Sequence, residues 1–508
     1  MIFNSYPYLF LFLPIALIGF HLLRRAPFRV SIGFLVLMSF LYYGWWRPQD
    51  LWVIGASCGF NFLIGRRVSR LRDTRPGFAT LTAGVVANLA LLGWFKYAGL
   101  FDKTFAALTG EGLNFPEIIL PLGISFFTFQ QIAYLVDAWR GETEEYHFTD
   151  YLLFVSFFPQ LIAGPIVHHK EMLPQFQQQK GRGLNSLDFS IGVTIIAIGL
   201  FKKIILADYL ARTSGPIFDL AASPEGRDLT IGEAWAGTLA YTLQIYFDFS
   251  GYSDMAIGSA RLFGIRLPLN FDSPYKSFSI VEFWRRWHMT LSRFLRDYLY
   301  FPLGGNRKGP SRRYVNLMLT MLLGGLWHGA GWTFLMWGAL HGLYLCINHG
   351  WHHLRRNFKL PAIPRPVGVL LTFLAVMFAW IPFRAGNYEF GADGSTSAAL
   401  GATRNILESM FGLKGATFWP PDAAIVVKDS RAFKPIILGL ILVLFLPSTQ
   451  QFMRHYNPAI GLLKPSEGFR RRWWQWRPTL PWLAFTLAML YLVGREFDQL
   501  SEFIYFQF

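Results

Sequence analysis

Charged residues are scarce in this 508-residue sequence, and cysteine is almost absent. Asp, Glu, Lys and Arg together make up 15% of the chain, whereas a soluble globular protein carries roughly 25%. The low charge therefore excludes an ordinary soluble protein. The 2 cysteines, Cys58 and Cys346, lie in apolar surroundings and form no CxxC pair. We interpret them as packing residues that indicate nothing about the redox compartment.

The familiar catalytic and nucleotide-binding motifs are also absent. The sequence contains no GxSxG, HExxH, P-loop or GxGxxG motif, which leaves a covalent Ser or Cys mechanism without a recognisable nucleophile. Neither a metal site nor a bound cofactor is predicted, because the histidines at 168–169 and 349–353 have no convergent carboxylates. No internal repeat or soluble domain is visible. We therefore expect any chemistry to be carried by side chains within membrane helices.

Apolar and aromatic residues dominate the composition instead. The chain is 53% hydrophobic and 18% aromatic, which is typical of a multi-pass membrane protein. Helices satisfy their own backbone hydrogen bonds in lipid, so we predict an all-α fold forming a single membrane domain of residues 1–508. About eleven transmembrane helices are expected, with interfacial and re-entrant helices in addition. The apolar segments lie near 6–23, 30–46, 51–65, 78–95, 117–136, 148–167, 187–207, 233–249, 314–345, 366–384, 434–447 and 480–494.

Basic residues outnumber acidic ones, which gives a formal net charge of +16. They cluster in short loops beside apolar segments, as the positive-inside rule requires, so membrane lipid is an expected partner and nucleic acid is not. The loop 66–75 holds five arginines and one acid and is expected to face the cytoplasm. The segment 6–23 lacks the features of a signal peptide and is expected to be a retained span with its N-terminus outside. The polar stretch 385–433 is predicted to be a loop with one helix.

His328 lies in a stretch that contains no charged side chain from Tyr314 to Leu354. Glycines flank it and would let another backbone or a ligand approach closely. An imidazole inside a membrane is a candidate functional group and suits general base catalysis near neutral pH. The alternative is a core histidine that hydrogen-bonds across helices. His341 comes thirteen residues later, about 220° around an ideal helix, so we expect it to face away from His328 and to form a structural hydrogen bond.

A second histidine, His288, lies in the basic region 276–313, which holds nine Lys or Arg and two acids. Residues 282–300 have helical periodicity, with an apolar stripe that includes His288 and with most arginines off it. This pattern predicts an amphipathic helix at the cytoplasmic interface whose histidine points inward. A membrane-surface anchor and a catalytic or ligand role both remain open. The stripe consists of Trp284, His288, Leu291, Leu295 and Tyr298, and the arginines are Arg285, Arg286, Arg293 and Arg296.

Ionisable residues also occur in the apolar segments near 200 and 250. Asp248 and Asp254 flank the sequence FSGYS, where they either hold the fold by hydrogen bonds or line a polar cavity. We interpret Lys202, Lys203 and Asp208 as the boundary of a span.

Long ordered motifs in this chain resemble those of the membrane-bound O-acyltransferase family. They are YFDFSGYSDMAIG, NFDSPY, FWRRWHMTLSRFLRDYLYFPLGGNRKG and LLGGLWHGAGWTFLMWGALHG, in a core of about 115–350, with FFPQLIAGPIVHHKEM and the terminal FIYFQF in addition. The resemblance covers most of the chain. It is strongest to the bacterial branch that contains the alginate O-acetyltransferases.

The resemblance implies an acetyltransferase of the bacterial inner membrane. It would take acetyl groups from cytoplasmic acetyl-CoA for O-acetylation of an exopolysaccharide, alginate or cellulose, or of peptidoglycan. The implied partners are a periplasmic, acetyl-accepting SGNH-type transferase and a polysaccharide synthesis or secretion complex. His328 would be the family's essential histidine and His288 its second one, which would orient His328 or polarise the thioester carbonyl. The residues expected to bind acyl-CoA or line the cavity are Arg285, Arg286, Trp287, Asn270, Asp254 and Trp327.

Two other functions are compatible with a polytopic chain. A transporter or flippase for a polysaccharide precursor usually has internal repeats or symmetric broken helices, and none is visible here. A scaffold for a secretion complex would not need its histidines. Transfer or hydrolysis of labelled acetyl-CoA by the purified protein would separate an acetyltransferase from both.

Overall fold

The fold is all-α, as the composition predicts. A computed structural model describes residues 1–113, 115–116, 118–143, 147–179, 181, 183–223, 226–389, 395–415, 417–418, 433–461, 472–497 and 503–504. In these ranges the only β-type pairing is an isolated bridge between Pro268 and Ile460. The α-helices are α1 (Leu13–Leu22), α2 (Phe28–Gly44), α3 (Leu51–Arg70), α4 (Arg75–Thr109), α5 (Ile124–Trp139), α6 (Phe148–Ser156), α7 (His169–Gln178), α8 (Ser186–Leu200), α9 (Asp208–Ala222), α10 (Ile231–Leu262), α11 (Ile280–Trp284), α12 (Met289–Leu295), α13 (Gly309–His328), α14 (Trp332–Asn357), α15 (Arg365–Ala385), α16 (Thr396–Met410), α17 (Phe433–Phe445), α18 (Thr449–Phe452) and α19 (Leu480–Glu496).

Shorter helical turns connect several of these helices. The π-helical turns are Pro7–Phe12, Phe201–Ala207 and Arg296–Tyr300, and the 3-10 turns are Leu23–Arg25, Pro48–Asp50, Pro274–Lys276, Gly386–Glu389 and Arg454–Tyr456.

Three helical stretches are long and apolar enough to cross a membrane in the part of the chain that the structure describes. They are Arg75–Thr109, Ser186–Ala222 and Arg365–Glu389, and the shorter apolar stretches are Pro7–Leu22, Phe28–Gly44 and Phe433–Phe445. The chain is a multi-pass membrane protein, and the count of about eleven spans stays a prediction.

The chain divides into two compact units, each built from three stretches of sequence. The first unit comprises Met1–Leu200, Tyr252–Leu269 and Phe452–Tyr491, and the second comprises Phe201–Gly251, Asn270–Gln451 and Leu492–Phe508. The single domain of residues 1–508 stays a prediction.

Buried amides join three helices of the first unit. Asn61 of α3 and Asn88 of α4 exchange side-chain hydrogen bonds of 3.0 and 2.6 Å. Ser57, also on α3, donates to Gln131 of α5 at 2.8 Å. Polar side chains of this kind hold apolar helices together where the hydrophobic effect cannot, because lipid is as apolar as the helix surfaces.

In the second unit, the charge-free stretch around His328 folds as a helical hairpin. The apolar segment 314–345 contains two helices, since α13 ends at His328 and α14 begins at Trp332. Gly329 and Gly331 adopt extended backbone between the two helices. A Cβ on Gly338 would lie 2.4 Å from the Met321 carbonyl oxygen, so the two helix backbones are in close contact there.

The predicted amphipathic helix over 282–300 is interrupted at His288. The residue has a left-handed backbone, with φ of 42°, and separates α11 from α12. The segment that begins at Asn270 takes over the backbone hydrogen bonds at this point: Asp272 N–H donates to Arg286 O, and Met289 N–H donates to Asn270 O, both at 3.0 Å. Helical periodicity survives the interruption, because His288, Leu291 and Leu295 are all buried.

Candidate active site

Two buried histidines face each other at two interruptions of helical structure in the second unit. His288 is 0% exposed and His328 is 3% exposed. Their ring centroids lie 6.3 Å apart, with an angle of 60° between the ring planes. His288 precedes the first residue of α12, and His328 is the last residue of α13. Helix ends leave room beside an imidazole that the interior of a continuous helix would fill with its own side chains.

Asn270 determines which ring nitrogen of His288 carries a proton. Its Oδ1 accepts hydrogen bonds from the hydroxyl and the backbone N–H of Thr290, at 3.0 and 3.4 Å. Because this atom acts as an acceptor, His288 Nδ1 at 3.1 Å must donate to it. In the neutral ring Nε2 therefore holds the lone pair, and within the described ranges this buried nitrogen has no hydrogen-bond partner. His288 thus has a proton acceptor available at Nε2.

Aromatic rings enclose both imidazoles. The Phe249 ring centroid lies 4.8 Å from that of His288, at an interplanar angle of 86°. Trp337 and Phe383 lie 4.9 and 5.3 Å from the His328 ring, both edge to face. These contacts restrict the rotation of each ring and exclude water from its faces.

Two of the predicted cavity residues also lie in this aromatic cluster. The Trp327 ring is 5.0 Å from that of His328 and 6.0 Å from that of His288. Trp287 is buried and stacks on Phe283 at 5.6 Å. Trp327 therefore contacts both histidines.

His341 does not make the structural hydrogen bond that we expected. It is fully buried, and among the described residues neither ring nitrogen has a hydrogen-bond partner. The expected orientation also assumed a continuous helix, which the turn after His328 interrupts. Trp337 instead contacts both histidines, at 4.9 Å from the His328 ring and 4.7 Å from the His341 ring. His341 packs among the rings of Phe283, Trp284, Trp337, Tyr344 and Trp380.

A cavity with strongly basic walls lies between α11, α12 and the hairpin. Its volume is ≈ 570 Å³, which is in the range of small-molecule sites. Four arginines line it, and the described lining residues include no carboxylate. Such a cavity suits an anionic ligand. The lining residues are Val281, Trp284, Arg285, Met289, Ser292, Arg293, Leu295, Arg296, Tyr300, Asn306, Arg313, Leu317, Thr320, Met321, Leu345 and His349.

The hairpin explains why the sequence analysis missed part of this lining. Arg313 on α13 hydrogen-bonds to His349 on α14, although the two are 36 positions apart. They lie at similar distances before and after the turn at Gly329–Gly331, so antiparallel pairing brings them together. The sequence HGAG was the available signal for this turn.

The remaining predicted site residues lie in three different surroundings. Arg285 lines the basic cavity. Arg286 instead pairs with Glu282 at 2.7 Å and donates to the Asp272 carbonyl at 3.3 Å. Asp254 is buried in the first unit, whereas both histidines belong to the second. No group of three metal-ligating side chains occurs among the residues that the structure describes.

Lys203 does not mark the end of a helix. The chain is helical from Ser186 to Ala222, and Lys203 is buried within this stretch. Its ammonium lies 2.8 Å from a carboxylate oxygen of Asp208 and 2.8 Å from one of Asp248. The boundary of a span at 202–208 stays a prediction, and of the two alternatives for Asp248 the structure supports a fold-stabilising contact.

Comparison with known proteins places these motifs in one family of sequences. The model of the membrane-bound O-acyltransferase family matches residues 84–383, a range that includes both histidines and the basic cavity. The chain is 41% identical over 445 residues to "Peptidoglycan O-acetyltransferase" of Helicobacter pylori, covering 82% of this chain and 81% of that protein. It is 44% identical over 399 residues to "Probable alginate O-acetylase AlgI" of Azotobacter vinelandii, covering 77% and 76%. Identity to "Teichoic acid D-alanyltransferase" of Streptococcus thermophilus is 29% over 420 residues, covering 74% and 93%.

Proposed function

Since the chain belongs to the membrane-bound O-acyltransferase family, we propose that it moves acetyl groups from acetyl-CoA to a hydroxyl acceptor during O-acetylation of a bacterial cell-envelope or secreted polysaccharide. Its general class is that of a membrane-bound O-acyltransferase. The proposal adds the donor, the acceptor and a location in the inner membrane.

The observation that carries the proposal is the buried histidine pair, together with the basic cavity. Trp284 and Met289, which lie before and after His288 in the chain, line this cavity. His328 would act as general base and take the proton of the acceptor hydroxyl as its oxygen attacks the thioester carbonyl. The new C–O bond forms, the C–S bond breaks, and the proton passes to the departing CoA thiolate. No covalent enzyme nucleophile is needed for this sequence.

The hydrogen bond to Asn270 favours one of the two roles left open for His288. A neutral ring with its proton on Nδ1 cannot donate from Nε2, so it cannot polarise a carbonyl oxygen at that position. It can accept a hydrogen bond from the attacking hydroxyl or from a protonated His328. We therefore assign His288 an orienting role, in which it stabilises the positive charge that develops on His328.

The cavity arginines suit the phosphates of coenzyme A. Guanidinium groups bind phosphate oxygens through paired, charge-assisted hydrogen bonds. Arg313 is hydrogen-bonded to His349, which restricts its side chain before a ligand arrives. Of the four arginines, Arg296 also pairs with Asp297 at 2.7 Å, and Arg285 and Arg313 are the main candidates for phosphate binding.

The candidate acceptor polymers are taken first from the names of the relatives. Those names specify peptidoglycan and alginate at similar identity, and cellulose is the third candidate from the sequence motifs. We propose that a periplasmic SGNH-type transferase receives the acetyl group and completes the transfer. If the purified protein alone acetylated a mature polysaccharide at full rate, no such partner would be needed.

The test of the proposed function is acetyl transfer by the purified protein in liposomes. Acetyl-CoA labelled in the acetyl group is supplied with water as the acceptor in the absence of a partner, and release of CoA and of labelled acetate is measured. We expect CoA release that depends on the protein and is lost in His328→Ala. A transporter or scaffold would leave the thioester intact, and that result would refute the proposal.

A further inference from the structure

The second unit holds a largely buried cluster of three charged side chains that the proposed mechanism does not use. Lys203, Asp208 and Asp248, here called the lysine–aspartate triad, have side chains 3%, 12% and 1% exposed. Lys203 Nζ lies 2.8 Å from Asp208 Oδ1 and 2.8 Å from Asp248 Oδ1. Burying such ions is costly, and well-packed apolar residues often stabilise a fold as well or better. Ionisable residues within membrane segments are therefore candidates for a functional role.

Asp248 is also the point where the last described residues of the chain are attached. Its Oδ2 accepts a hydrogen bond of 3.0 Å from the backbone N–H of Ile504. The neighbouring residues are in contact too, because the Phe503 ring lies 5.7 Å from that of Phe249. The triad thus fixes α10 to the helical turn that carries Lys203 and to the segment at Phe503–Ile504.

The residue next to Asp248 holds the second histidine of the site. The ring centroids of Phe249 and His288 lie 4.8 Å apart, with an angle of 86° between the ring planes. Phe271 packs on the other side chain of this pair, Phe249, at a centroid distance of 5.0 Å and an angle of 74°. A small rotation of α10 would move Phe249 away from the imidazole. The contacts of Asp248 oppose that rotation, because one oxygen pairs with Lys203 and the other accepts from the Ile504 N–H, on two different segments.

We infer that the lysine–aspartate triad is a positioning device for His288: by fixing α10 it keeps Phe249 edge-on against the imidazole and so maintains the ring orientation that transfer requires. The inference rests on the proposed function, since it assigns His288 a place in that reaction. Lys203, Asp208 and Asp248 are positioning residues in this account and touch no substrate.

The main test neutralises the triad without leaving an unpaired charge. The variant K203M/D208N/D248N keeps similar side-chain volumes, and the amide oxygen that D248N introduces can still accept from the Ile504 backbone N–H. We expect folded yield and melting temperature close to those of the parent, an unchanged KM for acetyl-CoA, and a kcat lower by about tenfold to a hundredfold, the order that a misplaced catalytic group costs. The single variant Lys203→Arg retains the charge pair, so its kcat should be much closer to that of the parent than the kcat of the triple variant.

A second variant tests the contact itself. Phe249→Leu leaves the triad intact and removes the ring that packs on His288, so it should lower kcat in the same way without raising KM. The matched control is R47M/D50N, which removes a partly buried 3.4 Å ion pair of the first unit that does not involve α10 and should leave kcat unchanged.

The outcomes separate this inference from the proposed function. If His328→Ala abolishes CoA release while the neutral triple variant or Phe249→Leu retains parental kcat, the positioning role is wrong and the acetyltransferase assignment stands. If the triple variant does not fold, Phe249→Leu alone decides the question. If His328→Ala retains full activity, the proposed function itself fails.

Discussion

The catalytic proposal depends on backbone conformation at single residues. His288 has a positive φ of 42°, a region in which a non-glycine residue costs of order 1–3 kcal/mol. Hydrogen bonds to Asn270 from the His288 ring, from Thr290 and from the Met289 amide hold this conformation. Strain of this kind, maintained by a buried asparagine, fits a residue whose ring direction matters for the reaction.

The three central histidines should respond differently to removal. His328→Ala should reduce transfer by about a hundred- to ten-thousandfold, the usual contribution of a general base. His288→Ala should lower transfer and leave measurable residual activity, because its proposed role is to orient His328. His341→Ala should act mainly on stability, since it removes a ring from an aromatic cluster. Product acetylation, folded yield and melting temperature are to be compared for all three, and a folded His328→Ala with near-parental transfer would remove this residue from the mechanism.

At the scale of elements, the hairpin of α13 and α14 brings the basic cavity and His328 together. Glycines lie where the two helices are closest, at positions where a side chain would clash with the backbone of the other helix. This close approach sets the antiparallel register that pairs Arg313 with His349. The same register places the turn directly after His328, so the histidine ends a helix instead of lying within one.

Two glycines on α14 provide a matched test of the hairpin. A Cβ at Gly338 would lie 2.4 Å from the Met321 carbonyl oxygen, whereas one at Gly350 would meet nothing within 4 Å. Gly338→Ala should therefore destabilise the protein by about 1–3 kcal/mol and lower transfer. Gly350→Ala should be neutral or stabilising by up to about 1 kcal/mol. Thermal unfolding in detergent measures both, and equal melting temperatures would show that the hairpin is not so tightly packed.

The arginines of the cavity should affect donor binding more than chemistry. Arg313→Gln removes a charge and the bond to His349, so we expect the KM for acetyl-CoA to rise by about tenfold, since a hydrogen bond to a charged group contributes about 1.5–3 kcal/mol. The kcat should change little, and the difference from the parent should shrink at high salt. Arg404→Gln is the control, because Arg404 is an exposed residue of α16 that pairs with Glu408. A parental KM in Arg313→Gln would exclude this arginine from donor binding.

At the scale of the whole molecule, the distribution of charge predicts the topology. The loop 66–75 and the region 276–313 are both rich in arginine, so the positive-inside rule predicts that both lie on the cytoplasmic side. The basic cavity would then open toward cytoplasmic acetyl-CoA, and the acceptor would approach from the periplasmic side.

Cysteine labelling tests this topology directly. The background variant C58A/C346A removes both native cysteines, and single cysteines are then placed at Arg72 and Arg307. We expect both to react with a membrane-impermeant maleimide only after the inner membrane is opened. Labelling of one position in intact spheroplasts and of the other only after lysis would contradict the proposed orientation.

Composition, periodicity and charge placement determined a great deal about this protein without its structure. They established the membrane class, the all-α fold and the inward direction of His288, because these properties depend on residue types and on spacing along one helix. Family motifs singled out His328 as the candidate general base, and that role stays a prediction. The two helix interruptions, the hairpin register, the tautomer of His288 and the burial of Lys203 were decided only by the tertiary structure. Each of these depends on contacts between residues far apart in the chain, such as Asn270 with Thr290, Arg313 with His349 and Lys203 with Asp248. Patterns among neighbouring residues do not reveal such contacts, because they describe only one helix at a time.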